Sequence, residues 1–173
     1  LVLLVICLID DLISLPVWVR LFSQISWIQL ADMNLVNLGA IFGGNDLILP
    51  NYLALLFTIF CVVGITNAFN WIDGIDGFFS FQVLIALIGL AIIGRAGFTL
   101  AHLSLLAALL PYSLMNLGLF GKKFKVFIGD HGAMMIGFFL ACSFIFLTQD
   151  PLNEYESYAR PVEALWCVGL VLL

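Results

Sequence analysis

The chain has 173 residues, of which 64% are hydrophobic and only 10% charged, against about 25% charged in an ordinary soluble domain. A soluble domain of this length exposes too much surface to hide so many apolar side chains. The composition therefore excludes a disordered tail, a disulfide scaffold and a nucleic-acid-binding domain, the net charge of −5 adds nothing for nucleic acid, and lipid is left as the solvent.

Residues 1–9 are apolar and carry neither a basic n-region nor a small-residue cleavage site, so they read as part of a span rather than a signal peptide. Asp10-Asp11 closes that span. A weaker span near 15–31 carries Arg20, Gln24 and Gln29. The connection 32–49 holds short apolar stretches around Gly43-Gly44-Asn45-Asp46 and reads either as a small hairpin or as an irregular loop. Pro50 opens a span over 50–68, inside an uncharged run of 26 residues between Asp46 and Asp73. Uncharged runs of 18, 26 and 19 residues follow, bounded by Asp76, Arg95, Lys122, Asp130 and Asp150. They predict spans over 78–94, 98–118 and 133–148, the second kinked at Pro111. Pro161 opens a last apolar stretch, 162–173. About 20 apolar residues in a helix cross a hydrocarbon core of roughly 30 Å. The expected fold is all-α: a polytopic transmembrane helix bundle of about seven spans or part-spans, forming one membrane domain over 1–173. With both ends apolar, the stretch reads as an internal piece of a longer protein, truncated at both ends. Cys7, Cys61, Cys142 and Cys167 all lie in apolar runs without a C-x-x-C pair, and read as small hydrophobes.

Each crossing changes side, so the connections 10–14, 69–77 and 119–132 fall on one face, and 32–49, 95–97 and 149–161 on the other. The first face has Arg20, Lys122, Lys123 and Lys125, and the second Arg95 and Arg160. Four basic residues against two make the first face cytoplasmic by the positive-inside rule.

That face also collects five carboxylates: Asp10, Asp11, Asp73, Asp76 and Asp130. Taken alone, Asp10-Asp11 reads as a solvated helix end, Asp130 as an N-cap and the lysines as a membrane anchor. The run NAFNWIDGIDG is different. Asn67, Asn70, Asp73 and Asp76 recur every three residues, which keeps them near one face of a helical turn, and Gly74 and Gly77 allow close approach of a ligand. Carboxylates beside hydrocarbon are costly and point to function. Five of them would repel one another without a cation, and an all-oxygen set suits Mg²⁺, or Mn²⁺, rather than zinc. Lysines beside an Asp-Gly helix start complete a phosphate site. The chemistry indicated is phosphoryl transfer at the inner membrane surface.

Three motifs, IDD at 9–11, NAFNWIDGIDG at 67–77 and KVFIGDHG at 125–132, resemble those of the polyprenyl-phosphate N-acetylhexosamine-1-phosphate transferases. With LLPYSLMNLG at 109–118, they are more similar to the WecA-type branch than to the MraY-type branch. The resemblance implies a Mg²⁺-dependent inner-membrane enzyme with a cytoplasmic active site. Such an enzyme moves a sugar-1-phosphate, GlcNAc-1-phosphate in that branch, from a UDP-sugar to undecaprenyl phosphate and releases UMP. It implies Asp10, Asp11 and Asp130 as catalytic and metal-binding residues. Asn67, Asn70, Asp73 and Asp76 are then the nucleotide-side group, and Lys125 a phosphate ligand. Partners are the UDP-sugar, undecaprenyl phosphate, the bilayer and, in some members, a second copy. Activity is not expected of this stretch alone. Ser14, His131 and Ala133 depart from the family pattern. The alternatives are MraY-like phospho-MurNAc-pentapeptide transfer, a non-catalytic homologue, and an ion transporter. The last would place its acids at mid-membrane rather than at span ends.

Overall fold

A computed structural model describes residues 16–39, 45–93 and 99–149, together with Val5, Ile6, Ile9 and Ile13. Among the described residues there are five α-helices: α1 (Val17–Leu30), α2 (Asn51–Ile72), α3 (Phe78–Ile93), α4 (Leu100–Asn116) and α5 (Gly129–Gln149). A 3-10 turn, Lys122–Phe124, precedes α5. These helices coincide in position with the five segments expected as spans between residues 15 and 148. The spans expected over 1–9 and 162–173 fall outside the described residues, apart from Val5, Ile6 and Ile9, which are helical.

Proline sets two of the starts. Pro16 and Pro50 precede α1 and α2 with φ of −64° and −61°. The ring holds φ near that value, and a helix start has no partner for the missing N–H. The helix α2 has 22 residues and α5 has 21, both apolar enough to cross a membrane; at 1.5 Å per residue each is about 32 Å long. The shorter α3 and α4 are apolar too.

The core runs between α2 and α5, which pack along most of their length. From α2 come Ala54, Thr58, Val62, Ile65 and Phe69, spaced by three or four residues. From α5 come small residues four apart, Ala133, Gly137 and Ala141. A Cβ at Gly137 would lie 2.9 Å from Phe69 Cβ, so this approach requires glycine. Small residues at that spacing suit helices in lipid, where close packing rather than escape from water drives association. The buried hydroxyls of Thr58 and Thr66 donate back to the carbonyls of Ala54 and Val62 at 2.7 Å. Around the core, α3 packs on α5 and α4, and α1 on α2. The outward sides stay apolar: Phe60 is 74% exposed, Ile92 77% and Leu100 85%. A helix that is apolar on its outer side as well as its inner one belongs in hydrocarbon.

At one end of the bundle the described residues on either side of 40–44 pair in antiparallel fashion. Asn37 and Ile48 make an antiparallel bridge, flanked by hydrogen bonds from Leu38 N–H to Leu47 O (2.9 Å) and from Leu49 N–H to Val36 O (2.8 Å). Of the two readings of 32–49, this supports the hairpin. Gln149, at the last turn of α5, accepts from the N–H groups of Val36 and Asn37 (3.1 Å each) and donates to Asn37 O (2.8 Å). The hairpin and the end of α5 therefore share one face, and the start of α5 lies on the other.

Candidate functional site

The other face gathers the polar motifs. Asn67 and Asn70 lie in the last turns of α2, which runs about one turn past its expected end, and Asp73 is the C-cap. The chain then turns through Gly74 to Gly77 and enters α3. Gly77 has φ +73°, and a Cβ there would come within 2.6 Å of Leu117 Cδ2. Only glycine meets both conditions without strain.

Asp73 is 7% exposed. Its carboxylate accepts from the Tyr112 hydroxyl at 3.3 Å and from the Gly129 N–H at 3.0 Å. Gly129 is the first residue of α5, so a carboxylate from a distant connection serves an orphan N–H of that helix and faces its positive end. Taken alone, Asp130 would read as an N-cap; it is instead the second residue of α5. Its carboxylate is exposed and makes no hydrogen bond or ion pair among the described residues.

A second tie runs through Asn116, the last residue of α4, which is 1% exposed. Its Oδ1 accepts from the Gly77 N–H at 2.6 Å, and its Nδ2 donates to Val126 O at 2.9 Å. One amide thus joins the 73–77 turn to the 125–129 connection. Tyr112 and Asn116 are four residues apart on one face of α4. Sequence reasoning did not single them out as site residues. The available signal was a polar pair at helical spacing near the end of an apolar span.

The remaining residues divide by what they touch. Lys125 makes an ion pair with Asp76, and its Nζ lies 5.4 Å from the Phe127 ring centroid. Both partners are partly exposed, so the pair adds little stability, but it holds Lys125 beside the Asp76 turn. Asn67 Nδ2 donates to Val63 O in its own helix at 2.7 Å, so its amide is satisfied within α2. Asn70 Oδ1 and Ser80 Oγ are buried and have no hydrogen-bond partner among the described residues. Unpaired buried polar atoms are rare enough to call for a water or ligand partner. Ala133 is fully buried in the helix interface. Asp10, Asp11 and Ser14 lie outside the described residues. Among the described residues no three His, Cys, Asp or Glu side chains converge as a metal site. The donors present nonetheless fit Mg²⁺, which takes one or two carboxylates and fills its shell with water and phosphate oxygens: Asp130 offers an uncommitted carboxylate, with no nitrogen or sulfur donor required.

The description Glycosyl transferase family 4 matches residues 1–148. The chain is similar to proteins named undecaprenyl-phosphate alpha-N-acetylglucosaminyl 1-phosphate transferase. It is 32% identical to the one from Yersinia pestis, over 95% of this chain and 46% of the relative. With that from Haemophilus influenzae it shares 37% identity, over 99% of this chain and 50% of the relative. The chain thus spans about half the length of the curated relatives it matches. No solved structure matches.

Proposed function

The chain belongs to glycosyl transferase family 4, and from that premise we propose that the whole protein transfers GlcNAc-1-phosphate from UDP-GlcNAc to undecaprenyl phosphate, releasing UMP. The observation that carries this reading is the joining of two motif connections, 73–77 and 125–129, through Asp73 and Asn116 at one end of an apolar bundle. That arrangement leaves the Asp130 carboxylate open beside the N-terminus of α5.

The chemistry follows from the charges. The acceptor is a phosphomonoester whose second pKa is near 6, so at neutral pH it is mostly dianionic and needs little help from a base. One of its oxygens forms a bond to the β-phosphorus of the UDP-sugar. The bond from that phosphorus to the oxygen bridging it to the α-phosphorus breaks, and the electron pair leaves with UMP. The obstacle is the meeting of two anions. Asp130, with Asp10 and Asp11 as the expected partners, would hold Mg²⁺, which neutralises phosphate charge when bound. Lys125, held by Asp76 and Phe127, adds a fixed cation. The Gly129 N–H is taken by Asp73, so the N–H groups of the next residues of α5 would be the ones to meet phosphate oxygens. Asn70, whose buried oxygen has no partner among the described residues, would accept a hydrogen bond from the nucleotide or from one of its waters. Positioning supplies much of the acceleration in such transfers.

The motif face is assigned to the cytoplasm on the excess of basic residues at that end. The test is turnover by membranes carrying the whole protein. Asp130→Asn should abolish lipid-linked GlcNAc formation, whereas Asp46→Asn, at the hairpin end, should leave it near the parent rate. Full turnover in the Asp130→Asn variant would remove Asp130 from the mechanism.

A further inference from the structure

The transfer reaction leaves two lysines without a role. Lys122 and Lys123 occupy the 3-10 turn before the site. Both are exposed, and neither takes part in an ion pair among the described residues, whereas Lys125 is paired with Asp76. The same turn contributes Phe124 to an open apolar groove of about 410 Å³, lined by Pro111, Leu114, Met115, Phe120 and Phe124. No polar surface lines it. The groove lies on an exposed side of α4: Leu114, Phe120 and Phe124 are exposed, while Tyr112 and Asn116 turn another face of that helix to the candidate site. A single turn therefore carries two exposed lysines and, in Phe124 next to them, one wall of an apolar groove.

We propose that this groove and Lys122-Lys123 form a binding site for one anionic phospholipid of the adjoining leaflet, with an acyl chain along the groove and the phosphate on the two ammonium groups. Charge complementarity selects the occupant. A zwitterionic lipid brings a cation of its own to the lysines, and an apolar protein helix would leave both of them unmatched. The polyprenyl phosphate acceptor has the same head-and-tail chemistry, but its phosphate must reach the side of α4 that carries Tyr112 and Asn116, and neither of these residues lines the groove. The site would fix the depth of the 119–129 connection in the membrane, and with it the height of Lys125 and Asp130. The proposal stands independently of the transfer reaction, because its readout is lipid retention.

The experiment is native mass spectrometry of the whole protein purified in a mild detergent, titrated with phosphatidylglycerol or with phosphatidylcholine of the same acyl chains. One phosphatidylglycerol should be retained in preference to phosphatidylcholine. Lys122→Gln with Lys123→Gln should weaken its retention by roughly thirtyfold, about fivefold for each lysine near a membrane surface. Leu114→Trp, which fills the groove and leaves the charges in place, should also displace it. Equal retention of the two phospholipids, or an unchanged double-lysine variant, would overturn the proposal and leave the lysines as an orientation anchor. It would equally be overturned if undecaprenyl phosphate displaced phosphatidylglycerol and lost its own binding in both variants, since the occupant would then be the acceptor.

Discussion

Replacing Asn116 with Ala removes both ends of the tie between the two motif connections. Asn116 is 1% exposed, and its two hydrogen bonds measure 2.6 and 2.9 Å. Each such bond contributes a net of about 0.5–1.5 kcal/mol, and a buried group left unpaired costs about 1–3 kcal/mol. The orphaned groups would be the Gly77 N–H and the Val126 carbonyl. Both residues are half-buried, so water reaches them in part and the lower half of the range applies. The expected loss is about 2 kcal/mol. Asn116→Asp is the sharper perturbation: it keeps an acceptor for Gly77 but sets a carboxylate oxygen against the Val126 carbonyl, and should cost at least as much as Ala. The assay is unfolding in mixed detergent micelles with increasing dodecyl sulfate, followed by tryptophan fluorescence. In the whole protein the Ala variant should also lose turnover more than its stability loss explains, because the two connections lose their register. If Asn116→Ala lay within about 0.5 kcal/mol of the parent and kept full turnover, the reasoning that this amide sets the site would be refuted.

Gly137→Ala places a Cβ 2.9 Å from Phe69 Cβ and should cost about 1–3 kcal/mol as an overpacking change. The double variant with Phe69→Leu should recover part of that loss in the same unfolding assay. Gly77→Ala meets both a φ of +73° and Leu117 Cδ2 at 2.6 Å, and should cost about 1–3 kcal/mol; Leu117→Ala in the same chain should relieve only the contact. Asp73→Ala removes the acceptor for Gly129 and Tyr112 and should destabilise by about 2–3 kcal/mol. Asp76→Asn, which breaks a partly exposed pair, should change stability by less than about 1 kcal/mol while lowering turnover of the whole protein.

Helix positions were legible because charge marks where a chain leaves hydrocarbon: Asp46, Asp73, Asp76, Lys122 and Asp130 bracket α2 to α5 closely. The misjudged boundaries have local causes. The helix α2 runs on to Ile72 rather than 68: Asn67 satisfies its amide on Val63 O within the helix, so its polarity does not mark the helix end. The start of α5 comes at Gly129 rather than 133 because its first N–H finds Asp73, 56 residues away. A cap supplied from another connection leaves no mark next to the helix it serves. Tyr112 and Asn116 lie in the LLPYSLMNLG run, but their role was hidden for a similar reason: their partners Asp73 and Gly77 lie 39 residues back along the chain. The motif run itself was legible because two asparagines and two aspartates at a spacing of three, ending in glycines, have no use in packing against lipid.

The most direct measurement of the central claim follows the β-phosphorus. The whole protein is given UDP-GlcNAc labelled at the β-phosphate, with undecaprenyl phosphate in detergent, and the label and the released nucleotide are tracked together. Sugar-1-phosphate transfer predicts that the label moves into the lipid fraction in equal amount to the UMP released, and that neither product forms without the acceptor lipid. Release of UDP with the label left on the nucleotide would show that the sugar alone is transferred, and would contradict the account.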